Sequence, residues 1–164
     1  EDGWRHLRFM LVNAPGDAFT VPGVSMMALG TLVMVLAFIR IDPVSLTIGS
    51  YSMIAGSLLT ILGCQVASMG MFATIAGEPI QQPKDPITNL LVGHATLGRG
   101  ATVGFTLVGA GVSYSAFIVI QWAGSGFSAL PTLFAAIAGF TAIIVGFEIV
   151  FGAVLLSVMA DLTL

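Results

Sequence analysis

Charge is scarce in this sequence. Asp, Glu, Lys and Arg together make up 8% of its 164 residues, where soluble domains run near a quarter. Basic residues are fewest: the five Lys and Arg are spread along the chain and form no stripe, which argues against nucleic acid as a partner. Cysteine is nearly absent, and Cys64 alone can make no internal disulfide. It lies in an apolar run and reads as a small buried hydrophobe. Histidine is limited to His6 and His94, too few for a metal site. Paired carboxylates, a Ser/His/Asp set, a Gly-rich phosphate loop and CxxC are all missing, so no catalytic residue is assigned. Alternating β patterns are missing too, which excludes a membrane barrel. Neither an initiator Met nor a signal-peptide pattern opens the chain. The numbering is therefore expected to begin inside a longer protein.

What is present is apolar. Hydrophobic residues reach 57% and the mean hydropathy is +1.03. A soluble fold of this size has too much surface to hide that many apolar side chains, whereas a bilayer accommodates them.

The few charges punctuate long uncharged runs, and each run is near the roughly 20 residues that cross hydrocarbon. Asp17 to Arg40 encloses span 1, about 21–39, with Pro22-Gly23 in its first turn. Asp42 to Glu78 encloses span 2, about 49–76. Arg99 to Glu148 is long enough for more than one span. The turn residues 124–131 divide it, giving span 3 at about 100–122 and span 4 at about 132–158. Two further helices are expected to lie on the membrane surface. In 1–15, Trp4, Leu7, Met10 and Leu11 share one arc while Arg5 and Arg8 lie on another, and Asn13-Ala14-Pro15-Gly16 ends the helix. In 86–97, Ile87, Leu90, Leu91, His94 and Leu97 recur at helical spacing behind Asp85-Pro86. The expected fold is an all-α membrane protein: an interfacial segment 1–15, then a domain 16–164 of four spans arranged as two hairpins. Arg5, Arg8, Lys84 and Arg99 fall on one side and Arg40 on the other. The positive-inside rule then puts both termini in the cytoplasm.

Glycine is spaced with unusual regularity. Gly49, Gly56, Gly63, Gly70 and Gly77 fall every seventh residue through span 2. Gly16, Gly23, Gly30 and Ala37 do so in span 1, and Gly139, Gly146, Ala153 and Ala160 in span 4. Span 3 carries Gly100, Gly104 and Gly111. Seven residues are nearly two turns, so each series is a stripe without side chains. Such stripes let helices approach in lipid or leave a groove that admits a lipid tail. A repeat is also legible. Leu62-Gly63-Cys64-Gln65 resembles Val145-Gly146-Phe147-Glu148, and Ala37-Phe38-Ile39 matches Ala116-Phe117-Ile118. The two halves would be related by an axis along the membrane normal.

Glu148 is the one acid well inside a span. Two readings stand: a proton or substrate contact, or a neutral carboxyl bonded to Gln65, Gln121 or a backbone carbonyl. Arg5, His6 and Arg8, with Arg99 on the same side, likewise read either as topology anchors or as contacts to a lipid phosphate.

Asp2-Gly3-Trp4-Arg5-His6-Leu7-Arg8-Phe9-Met10-Leu11, followed by Pro22-Gly23, is more specific than composition. It resembles the junction between catalytic domain and membrane region in family 2 glycosyltransferases of the dolichol-phosphate mannosyltransferase or polyprenyl-phosphate type. Leu46-Thr47-Ile48-Gly49, Leu62-Gly63-x-Gln65, Trp122-x-x-Ser125-Gly126-Phe127 and Gly146-Phe147 look similar as well. Glu148 departs from the Gln expected there. The resemblance implies transfer of a sugar from a nucleotide donor to a polyprenyl phosphate at the cytoplasmic face. The catalytic domain and its divalent metal would lie upstream of Glu1, and this chain itself would need no cofactor. The chain's part would be to anchor that domain and present the lipid carrier. Its partners would be membrane lipids, polyprenyl phosphate, and further copies or a larger membrane complex, in a bacterial inner membrane. The competing reading is a non-catalytic membrane subunit that scaffolds a larger complex.

Overall fold

Four long apolar helices carry the structure, a computed structural model that describes residues 15–39, 49–77, 97–128 and 133–162. They are α1 (Pro15–Ile39), α2 (Ser50–Gly77), α3 (Leu97–Gly124) and α4 (Leu133–Leu162). All four are long and apolar enough to cross a membrane. At 1.5 Å per residue, 28 residues extend about 42 Å. That exceeds the ~30 Å of hydrocarbon, so the helix ends reach the headgroups or the helices tilt. The two expected surface helices, 1–15 and 86–97, lie outside the described residues except for Pro15 and Leu97, and Arg40 and Lys84 lie outside them too.

The ends differ from the sequence expectation in three places. α1 begins at Pro15 rather than near 21, so Pro15 opens this helix instead of closing the one before it. Proline suits the first helical position because its missing N–H would have no partner there. Pro22 consequently stands inside α1, which membrane helices tolerate where neighbouring groups satisfy the freed carbonyl. α3 begins at Leu97, a residue expected in the preceding surface helix. α4 continues to Leu162 rather than 158. Gly49 stands just before α2, its carbonyl accepting from the N–H groups of Ser52 at 3.0 Å and Met53 at 3.2 Å.

The end of α3 follows from two left-handed residues. Gly126 has φ 66° and Phe127 φ 61°. This geometry returns Phe127 N–H to Trp122 O at 3.2 Å and Gly126 N–H to Ala123 O at 3.1 Å, a Schellman closure. The Trp122 and Phe127 rings meet edge to face with centroids 4.9 Å apart.

Contacts order the helices α1–α2–α4–α3, with α2 and α4 in the middle. α1 runs antiparallel to α2, and α3 antiparallel to α4, as the residues that meet show. A Cβ on Gly30 would stand 2.6 Å from Gly56 O, and one on Gly63 would stand 2.7 Å from Gly23 O. In the other pair, a Cβ on Gly111 would stand 2.9 Å from Gly139 O, and one on Gly146 would stand 2.9 Å from Gly104 O. α2 and α4 run parallel: Ser57 meets Thr141 near one end, and Phe72 approaches Gly152 near the other.

The two antiparallel pairs repeat one another nearly atom for atom. Gly30 faces Gly56 O and Thr60 N, as Gly111 faces Gly139 O and Ile143 N. Gly63 faces Gly23 O and Met27 N, as Gly146 faces Gly104 O and Val108 N. The shift is 81 positions from α1 to α3 and 83 from α2 to α4. The Leu62–Gln65 match thus keeps its spacing. The Ala37–Ile39 match, spaced at 79, is two positions out of register, because similar apolar triplets recur by chance in such helices.

Candidate functional site

Among the described residues, two spaces adjoin the central α2–α4 pair, the second of them lined largely by α1. One occupies the half of the bundle toward which α2 and α4 run, with a volume of 610 Å³. Phe72 and Leu155 line its end, and Gln65 and Glu148 line its start, near the middle of the helices. Along α4, Phe147 and Phe151 stack with centroids 6.3 Å apart and both rings more than two-fifths exposed. The other space, 450 Å³, lies toward the opposite ends and is lined by Met34, Phe38, Met53 and Val145, with Thr60 and Thr141 beside them. Both walls are largely apolar, as a bilayer permits.

Polar groups are few, which makes their placement informative. Ser57 and Thr141 share a buried hydrogen bond of 2.7 Å across α2 and α4. Thr141 Oγ1 also donates to Ile137 O at 2.7 Å. Ser57 therefore donates to Thr141, which satisfies both hydroxyls. Other hydroxyls return to their own helix, Thr60 to Gly56 O at 2.8 Å and Thr74 to Gly70 O at 2.9 Å. That is the usual solution where no water competes. The Ser57–Thr141 bond is not among the expectations from sequence. A signal for it exists: the two are 84 positions apart, within one residue of the repeat.

Glu148 is half-buried and lines the larger groove. Cys64, buried and free, lies beside it on α2, with Ser68 one turn further on. One carboxylate oxygen of Glu148, Oε2, is sealed inside without a hydrogen-bond partner. The bonds expected from Gln65, Gln121 or a carbonyl are not made to this oxygen. Gln121 stands near the far end of α3, roughly 25 Å along the helix from the level of Glu148. Gln65 is exposed on α2. Among the described residues its side chain makes no hydrogen bond.

Arg99 is exposed in the first turn of α3. A Cβ on the adjacent Gly100 would stand 2.8 Å from Ala153 Cβ. This fixes Arg99 at the level where the groove ends near Leu155. Within the four apolar stretches, Arg99 and Glu148 are the only charged side chains. Arg5, His6 and Arg8 lie outside the described residues, so the structure does not bring them together with Arg99. Of the glycines singled out, Gly56, Gly63, Gly70, Gly104, Gly139 and Gly146 are buried, and Gly100 is half-buried. Gly49 precedes α2 and Gly77 ends it. Among the described residues no group of three or more His, Cys, Asp or Glu stands close enough to hold a metal ion.

The family model for the C-terminal transmembrane region of family 2 glycosyltransferases matches residues 76–160. The chain belongs to this family. It is also 38% identical over 160 residues to the low-salt glycan biosynthesis hexosyltransferase Agl6 of Haloferax volcanii. That alignment covers 98% of this chain and 39% of the hexosyltransferase, so the chain spans about two-fifths of that relative's length. No solved structure matches. The glycosyltransferase membrane region inferred from the first residues is thereby established, and with it an integral membrane protein. The bacterial setting expected from the sequence gains no support from the Haloferax relative.

Proposed function

We propose that this chain is the membrane anchor and lipid-carrier-presenting domain of a glycosyltransferase. The enzyme moves a sugar from a nucleotide donor to a polyprenyl phosphate. The observation that carries the reading is the family match over the second half of the chain, joined to a likeness over its whole length to a hexosyltransferase more than twice as long. Catalysis, with its divalent metal, belongs to a domain outside these 164 residues.

In this reading the four helices form two hairpins, held together by their glycine stripes. Both termini face the cytoplasm, so α1 and α3 start there and α2 and α4 return there. Arg99 then stands at the cytoplasmic surface with Arg5, His6 and Arg8. Arginine suits the phosphate of the carrier because its planar fork donates two hydrogen bonds to one anion. Arg5 and Arg8, three apart on a helix held at the interface by Trp4 and Leu11, would present their guanidinium groups at headgroup depth.

The test is a binding titration of the full chain, followed by native mass spectrometry, with polyprenyl phosphate and phosphatidylglycerol in parallel. Arg5→Gln with Arg8→Gln is compared with the unaltered protein. A preference for polyprenyl phosphate that the double substitution removes supports the reading. General attraction to anionic lipid amounts to about 1 kcal/mol per basic residue, fades with salt and ignores tail and headgroup chemistry. Equal binding of both lipids would leave the arginines as topology anchors.

A further inference from the structure

Gln65 and Glu148 occupy equivalent places in the repeat, 83 positions apart on the two central helices. Because α2 and α4 run parallel, both side chains stand at one depth, and both line the same groove. That depth is near the middle of helices 28 and 30 residues long, where water is absent and a polar side chain seeks a partner in another helix. The Gln65 carboxamide is exposed to that environment.

A lipid occupant answers this poorly. A carrier whose phosphate sits at the level of Arg99 would lay only hydrocarbon along Gln65 and Glu148. A second copy answers it directly. A two-fold axis along the membrane normal keeps every residue at its own depth. Two chains facing one another across this groove would therefore bring Gln65 of each opposite Glu148 of the other, forming the pair twice. The amide N–H would meet Oε1, since Oε2 is sealed inside, and an amide N–H on a carboxyl oxygen is complementary whether the carboxyl is charged or neutral. The rest of the face is suited to packing, since Met69, Ile144, Phe147 and Phe151 all line the groove and are exposed.

We infer that the α2–α4 groove is the interface for a second copy of this chain, with reciprocal Gln65–Glu148 hydrogen bonds at the bilayer centre. The inference stands apart from the carrier reading, since it makes no use of the arginines or of any sugar transfer.

Two tagged variants of the full chain, Gln65→Cys and Glu148→Cys, both in a Cys64→Ala background, are co-expressed and oxidised within the membrane. A disulfide-linked dimer carrying both tags is expected. Phe105→Cys serves as control: it is exposed on α3 at almost the depth of Glu148, but on a helix away from the groove. In a second arm, dimerisation in lipid vesicles is measured by single-molecule photobleaching. Gln65→Leu should weaken it about tenfold, because two interhelical hydrogen bonds are lost per dimer. Glu148→Gln, which keeps a carbonyl acceptor, should stay within about twofold. No mixed-tag dimer, an equal yield from Phe105→Cys, or cross-linking only to a different protein would overturn the inference. So would unchanged dimerisation of Gln65→Leu.

Discussion

A single methyl group added at Gly63 should loosen the α1–α2 pair by a measurable amount. A Cβ at this position would meet Met27 N most closely, and would lie 2.7 Å from Gly23 O and 2.8 Å from Met27 Cα. All three are backbone atoms, so none can rotate away. Ordinary contact begins near 3.4 Å, so the helices must part locally by more than about two-thirds of an ångström. A radial gap of 0.5–1 Å already forfeits a quarter to a half of each neighbouring dispersion contact. Overpacking of this kind costs about 1–3 kcal/mol, and here no hydrophobic drive pulls the helices back together. Gly146→Ala should also destabilise but cost less, because its Cβ would meet the Val108 side chain first, at 2.7 Å, with Val108 N at 2.8 Å and Gly104 O at 2.9 Å, all looser than the Met27 N contact at Gly63. Gly109→Ala is the internal control. Nothing lies within 4 Å of its Cβ, and alanine favours helix by up to ~1 kcal/mol over glycine. Unfolding of the three variants by SDS titration from mixed micelles gives the comparison. The reasoning fails if Gly63→Ala is as benign as Gly109→Ala, or if Gly146→Ala costs more than Gly63→Ala.

Two more outcomes follow from the geometry. Ser57→Ala and Thr141→Val should each destabilise the chain by about 0.6 kcal/mol in the same titration, and together by less than the sum, since both remove one 2.7 Å hydrogen bond. Strict additivity would show that the bond contributes nothing. In a Cys64→Ala background, a cysteine at exposed Ser128 should label with an impermeant maleimide only from outside the cell, and one at Gln82 only from the cytoplasm. Labelling of both from one side would break the proposed topology, and an exchange of the two sides would reverse it.

The family and the number of spans are legible in the order of the amino acids alone. Charges cannot be spread along a helix in hydrocarbon, so Asp17, Arg40, Asp42, Glu78 and Arg99 bracket the apolar runs they were expected to bracket. The opening Asp2-Gly3-Trp4-Arg5-His6-Leu7-Arg8 is enough to point to the glycosyltransferase membrane region. Helix ends are less legible. A proline signals a start, but Pro15 and Pro22 are both available to α1 and only one can open it.

By itself, then, the sequence determined the solvent, the helices and the family, because each depends on composition or on contiguous residues. Which helix faces lay inward was decided only by tertiary packing. In water an apolar stripe marks the buried side of a helix, but in a bilayer every side is apolar and periodicity is silent. Phe105 and Phe117 therefore look outward while Thr20 is wholly buried. Gly109 meets open space, although Gly104 and Gly111 on the same helix pack against backbone. The repeat shows the same division. Its spacing of 83 is visible in Gly63 and Gly146, but the shift of 81 between α1 and α3 emerges only where their glycines meet equivalent carbonyls. Contact between α2 and α4 fixed the rest, joining Ser57 to Thr141 and setting Glu148 beside Cys64 at the head of a groove. Residues 84 apart in sequence become neighbours only when the two parallel helices pack side by side.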